Sequence, residues 1–178
     1  MPAPKYLPRY TITDYFGWEG DWELWRGVAV SMTPSPFGKH QRVARNLVME
    51  LSKSLDSVDC ECEVIYELDW VVDQDTVVRP DVMVLCDGIP EGHVTTVPVL
   101  IAEVVSPSTE RKDRTAKREL YESEGVAYYI IADPETSTLE ILQRGNQGRY
   151  EALNIVDSVA MIKLNRKYII KLAINQIF

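Results

Sequence analysis

Two apolar runs in this 178-residue chain each carry a single carboxylate. One is Arg79-Pro80-Asp81-Val82-Met83-Val84-Leu85, and the other is Leu100-Ile101-Ala102-Glu103-Val104-Val105-Ser106. A charge set among isoleucine, valine and leucine is expensive to bury unless it is paired, hydrogen-bonded or bound to a metal. Two such charges on successive strands suggest a site. The helix expected after the second run presents Asp113 and Lys117. Two acids and a lysine converging are the minimal equipment for Mg²⁺-assisted cleavage of a phosphodiester.

Each residue also has a plainer reading. Asp81 suits a strand start beside a turn. Glu103 could sit in a buried salt bridge. Asp113 and Lys117 are four apart, the spacing of an ordinary surface ion pair on a helix. Tyr121 continues the same face and reads as a packing residue with its hydroxyl at the site rim. Ser106 and Ser108 fit a helix cap, since no base is spaced to activate either as a nucleophile. His40, at the start of an earlier helix, could shape the site or meet a phosphate there, or be a polar residue of the first turn. Glu50 is a further candidate acid on that helix. The Trp18, Trp22, Trp25 cluster reads as core or interface before it reads as a base-stacking platform.

These residues need elements to position them. Thr11 or Thr13 can cap a helical turn over Thr13–Phe16. Residues 22–25 and 28–32 read as a hairpin turned at Arg26-Gly27, followed by a loop over 33–38. Val43, Leu47, Leu51 and Leu55 recur at helical spacing, which predicts a helix over 39–55. Strands follow at 62–72 and 81–86, with Thr76-Val77-Val78 leading into Pro80, and then at 99–105. A second helix runs over about 110–123 and ends near Gly125. A strand at 126–132, a hairpin at 138–144 and 149–153, and strands at 159–164 and 168–174 complete the chain. No internal repeat or linker interrupts it, so one α/β domain over 1–178 is expected, a mixed sheet flanked by two principal helices.

Composition narrows the classes. Net charge is −8 with a pI near 4.8, which argues against a protein that coats nucleic acid non-specifically. It leaves room for a metal site, which is itself acidic. There is no apolar run of the ~18 residues a membrane span needs. The first residues lack the apolar core of a signal peptide, so the cytoplasm is the expected compartment. Three cysteines make a disulfide framework an unlikely organising principle, and their spacing with the two histidines does not match a zinc site.

Glu103-Val104-Val105-Ser106-Pro107-Ser108-Thr109, Asp113, Lys117, Tyr121, Gly125-Val126-Ala127-Tyr128-Tyr129 and Ala132-Asp133-Pro134 together resemble the Uma-type restriction endonuclease family of the PD-(D/E)XK nuclease-like superfamily. Residues Val30 to Pro36, with His40-Gln41, resemble its N-terminal element. The resemblance runs from about Thr11 onward and is specific between Pro80 and Pro134. It implies a restriction-endonuclease-like mixed β-sheet core with an N-terminal β-hairpin. It also implies Mg²⁺ (or Mn²⁺) held by Asp81, Glu103 and the backbone carbonyl of Val104, DNA as substrate, and a homodimer. The superfamily's usual lysine position, two residues after the second acid, is Val105 here. The family pattern moves the lysine to the next helix, where Lys117 stands, with Asp113 and Tyr121 beside it. Lys112 is expected on a different face. A non-cleaving nuclease-fold module that binds nucleic acid or protein is the alternative.

Overall fold

The computed structural model describes residues 8–32, 38–164 and 167–178. Residues 1–7, and residues 33–37 of the loop expected over 33–38, lie outside the described residues; Gly38 already belongs to the helix. In chain order the elements are α1 (Ile12–Tyr15), the hairpin β1 (Trp22–Trp25) and β2 (Val28–Ser31), α2 (Gly38–Asp56), β3 (Glu63–Tyr66), β4 (Trp70–Asp73), β5 (Thr76–Val78), β6 (Val82–Leu85) and β7 (Leu100–Val104). Three end-to-end helical segments, Glu110–Lys112, Asp113–Lys117 and Arg118–Glu124, form α3. Then come β8 (Tyr128–Asp133), β9 (Thr138–Arg144), β10 (Tyr150–Ala152), β11 (Ile155–Val156), β12 (Val159–Leu164) and β13 (Tyr168–Ala173).

The central sheet has six strands in the order β10-β9-β8-β7-β6-β3. It is mixed, because β7 and β8 run parallel while their neighbours pair antiparallel. The parallel pair requires a crossover, and α3 supplies it. Strand β7 is buried along its whole length, which explains its continuous apolar run. Its residues alternate between two cores. Leu100, Ala102 and Val104 pack on the side of α2, against Val43, Leu47 and Leu51. Ile101 and Val105 face the opposite side with Trp70, Tyr121 and Tyr129. The terminal hairpin β12–β13 closes the α2 side, burying Ile162, Leu164, Ile170 and Leu172. A second sheet, β2-β1-β5-β4, brings the N-terminal hairpin to the side that carries α3. Among the described residues no helix is long and apolar enough to cross a membrane.

Three expectations are corrected. The strand expected over 62–72 breaks at Glu67, which has φ +50; β3 joins the central sheet and β4 the second one. The chain must turn sharply to change sheets there, and the Glu67 N–H donates to the Asp81 carbonyl at the crossing. A disulfide does form, between Cys62 and Cys86. The β3–β6 register pairs Glu63 with Leu85, so the next residue on each strand also meets its opposite number. Strand pairing, not cysteine count, decides that bond, and Cys60 remains free. Finally, α3 is not one regular helix. Its Asp113–Lys117 segment is a π-turn, and the helix stops at Gly125, whose φ of +92 closes the C-terminus.

Candidate active site

The antiparallel register of β6 and β7 pairs Val82 with Ala102. Asp81 directly precedes β6 and Glu103 directly follows Ala102 on β7, so both carboxylates stand at this end of the strand pair. The Asp81 Oδ2 accepts a 2.7 Å hydrogen bond from the Val104 N–H, which ties the two strands at that point. Asp81, Glu103 and Val104 line one cleft of about 430 Å³.

Glu103 is only 2 % exposed. Its Oε1 accepts from Lys117 Nζ at 2.8 Å and from the Tyr121 hydroxyl at 2.7 Å. Burial pushes its pKa above the ordinary carboxylate range, Lys117 pulls it down, and the neighbouring Asp81 and Asp113 push it up again. Lys117 is also buried, and burial alone would favour the neutral amine. Three carboxylates reverse that: Glu103 at 2.8 Å, Glu23 at 3.5 Å and Asp113 at 3.7 Å. They hold its pKa well above the ordinary lysine value. Lys117 is therefore a fixed cation at neutral pH, able to donate but not to accept a proton.

The π-turn explains how this cation arrives. Its i→i+5 repeat adds a residue to one helical turn, and such turns concentrate at functional sites. Lys112 and Lys117, five apart, both reach Glu23, so the expectation that Lys112 faces elsewhere is corrected. Lys112 also lies over the Trp25 ring, 4.9 Å from its centroid. The Ser106 hydroxyl bonds to those of Ser108 and Thr109, and the Ser106 N–H donates to Thr109 Oγ1. The expected serine cap is corrected, because Thr109 is the residue that opens the helix and no side chain among the described residues bonds its free N–H groups.

Glu23 was not singled out by sequence reasoning. It sits buried on β1 and accepts from the Arg79 N–H, the Trp25 indole N–H and the Lys112 ammonium. Burial raises its pKa, but Lys117 and Lys112 outweigh that and hold the carboxyl near 2. The signal was present: Trp22-Glu23-Leu24-Trp25 is a carboxylate among large apolar residues, as in β7.

His40 and Glu50 separate. The His40 Nε2 is 3.4 Å from Asp81 Oδ2. Burial lowers its pKa, but the Asp81 carboxylate and the Val104 backbone more than offset this and raise it. Its Nδ1 is buried without a partner among the described residues. Glu50, ten residues on, is about 15 Å further along α2 at 1.5 Å per residue. It pairs with Lys53 and lies outside the cleft, because only the first turn of α2 reaches it.

Six acids, Asp21, Glu23, Glu67, Asp81, Glu103 and Asp113, line the cleft with Lys112, Lys117, Arg79 and His40. The Arg79 guanidinium is already neutralised by Asp69 and Asp21. Among the described residues no donor reaches Asp81 Oδ1 or Glu103 Oε2, which leaves one oxygen of each carboxylate for a cation. No group of three or more His, Cys, Asp and Glu side chains there converges at metal-ligand spacing. Two carboxylates and a backbone carbonyl suit Mg²⁺, which keeps several of its waters.

Residues 8–168 match the Uma2 family, described as "Putative restriction endonuclease". The chain belongs to the Uma2 family. The match contains every residue of the acid–lysine cluster. A relative from Synechocystis sp., the uncharacterized protein slr1290, is 27% identical over 160 residues, covering 86% of this chain and 82% of its own. A crystal structure from Anabaena variabilis, of a "putative nuclease belonging to DUF820", superposes with a TM-score of 0.73 at 17% identity. It covers 95% of this chain and 97% of its own. At that identity the likeness establishes a shared fold, and this family's fold is the restriction-endonuclease-like one.

Proposed function

We propose that this Uma2 protein is a Mg²⁺- or Mn²⁺-dependent endonuclease that hydrolyses phosphodiester bonds in DNA. The observation that carries the reading is the meeting of Asp81 and Glu103 in one cleft at the adjoining ends of β6 and β7, with the Lys117 ammonium 2.8 Å from Glu103. Asp81, Glu103 and the Val104 carbonyl would hold the ion. Bound there, it would supply positive charge at the scissile phosphate and make a bound water more acidic.

The chain's own residues do the rest. Tyr121 and Lys117 fix Glu103 by sharing its Oε1, so the other oxygen points where a ligand would be. The Val104 N–H fixes Asp81 in the same way. Asp113 and Glu23 hold Lys117 from two sides. Its ammonium orients the attacking water by donation and offsets charge developing on the phosphate. His40 steadies Asp81 at the cleft edge. Cutting both strands of a duplex would take two such sites, hence a homodimer.

A non-cleaving module is the second reading, favoured by Val105 at the usual lysine position and by the Lys117–Glu103 ion pair. Asp81 counts against it, because neither lysine nor arginine neutralises that acid among the described residues. The test is plasmid nicking with Mg²⁺ or Mn²⁺. Wild type nicks, while Asp81→Ala and Glu103→Ala lose both nicking and calorimetric Mn²⁺ binding. Lys117→Ala loses nicking, by at least a hundredfold, with Mn²⁺ binding kept. A fully active Lys117→Ala protein would refute the role given to the lysine. Purified wild type that nicks nothing would favour the non-cleaving module.

A further inference from the structure

Beside the cleft lies a second cavity of about 190 Å³, walled by Tyr15, Phe16, Trp18, Trp22, Arg79 and His93. Arg79 also lines the cleft. Its N–H bonds Glu23 and its guanidinium bonds Asp69 and Asp21, each at 2.7 Å. One residue thus forms the partition between the two cavities. We propose that the aromatic cavity is a base-stacking subsite, which takes one unpaired nucleobase of the strand whose phosphate lies at Asp81 and Glu103. The proposal rests on the nuclease reading for the placement of that phosphate.

Size and lining both point to a single planar ring system. The volume falls below the ~300–1,000 Å³ of pockets for larger ligands. Phe16 stacks on the His93 imidazole, with centroids 5.0 Å apart and planes 14° apart, yet 53 % of Phe16 is exposed. A ring held flat from behind with its surface in water is a stacking platform. Trp18 meets Tyr15 and Trp22 edge-on, at 5.4 and 5.9 Å, which fixes the other walls.

The carboxylate and guanidinium of the cavity are already paired. Asp69 Oδ1 accepts from Arg79 and Oδ2 from the Tyr15 hydroxyl, with His93 Nδ1 3.5 Å away. Little is left to read the edge of a base, so the subsite tolerates any base. Charge leads to the same place. A chain of net charge −8 gains little from phosphate contacts, whereas stacking needs no charge and works on every base. The preferred substrate is therefore single-stranded or locally unpaired, held with a shallow salt dependence.

The experiment measures binding of a dye-labelled thymidine hexamer without divalent metal, by anisotropy. The comparisons are the same hexamer carrying one abasic site, scanned along it, and a duplex of equal length. Wild type binds the intact single strand ~10-fold more tightly than the best-placed abasic strand or the duplex. Phe16→Ala abolishes that gap and Phe16→Trp restores it, and circular dichroism shows both variants folded at the assay temperature. Equal binding of intact and abasic strands by wild type overturns the subsite, as does a Phe16→Ala protein that keeps the gap, or no binding at all. Plasmid nicking run alongside separates the two readings. Nicking without base dependence overturns the subsite alone. Base-dependent binding without nicking supports the subsite and overturns the nuclease reading.

Discussion

At Glu23 one carboxylate accepts bonds from Arg79, Trp25 and Lys112, and lies 3.5 Å from Lys117. Both lysines of the cleft depend on it, so its charge state bears on stability and on the position of Lys117. Its folded pKa, near 2, is below the ordinary value of about 4.3. The unfolded chain therefore binds more protons between those values, and the stabilisation is present above the ordinary pKa. It is lost as pH falls through about 2. Glu23→Gln is expected to lower unfolding free energy by on the order of 3 kcal/mol near pH 7. Urea denaturation of the two proteins should show the gap narrowing from pH 5 downward; a gap independent of pH would mean that the charge is not what matters. Lys112→Ala, which leaves Glu23 with one cation, is expected to reduce nicking about tenfold, a smaller loss than for Lys117→Ala.

Helix α3 illustrates how an element can decide chemistry through its geometry. A regular helix would place Lys112 and Lys117 about 500° apart, or 140° around the axis, at 100° per residue. The π-turn over Asp113–Lys117 narrows that angle and brings both cations to Glu23. Thr115 lies in the turn with its side chain exposed and bonded to the Arg111 carbonyl. Deleting Thr115 removes the extra residue of the π-turn, so Lys112 and Lys117, then four apart, stay within about 40° of each other on a regular helix at 100° per residue. The deletion protein should therefore keep the circular dichroism of the fold and its nicking, whereas a regular helix forced on the full-length segment would not. Loss of nicking by the deletion protein would show that the wide turn itself, and not only the facing of the two lysines, shapes the site. The β1–β2 hairpin contributes in the same manner, since its alternation turns Glu23 and Trp25 toward α3 while Leu24 packs with Tyr15 and Val77.

Across the whole molecule, the cleft is the seam where two sheets and two helices meet. The central sheet supplies Asp81 and Glu103, the second sheet Glu23, α3 the lysines and Asp113, and the first turn of α2 His40. The seam keeps its shape only if edge strand β3 stays on β6, and the Cys62–Cys86 bond joins their ends across a sequence separation of 24. Loop-closure entropy assigns such a link about 3 kcal/mol, or roughly 5–10 °C in Tm for a chain of this size. Dithiothreitol should lower Tm by that amount and raise the titratable thiols from one to three. Cys62→Ala/Cys86→Ala should show the lower Tm without any response to reductant.

Local pattern was enough for much of this. The alternation of apolar residues specified the strands, the 3.6-residue repeat specified α2, and Gly125 marked the end of α3. Glu103 was legible because a carboxylate in a buried strand has few uses, whereas Asp81 and Lys117, each with an ordinary local reading, stood out through the family resemblance. Other features depended on contacts far apart in the chain. Glu23 joins Lys112 across 89 residues, and no local signal relates them. The bond between Cys62 and Cys86 follows from strand register, and the break at Glu67 from the need to change sheets. Glu50 had the right chemistry but stands too far along its helix. Local sequence determined which segments become strands and helices and which of their residues resist burial. Tertiary structure decided which of those residues meet, because convergence depends on sheet order, register and one inserted helical residue, none of which is a local property.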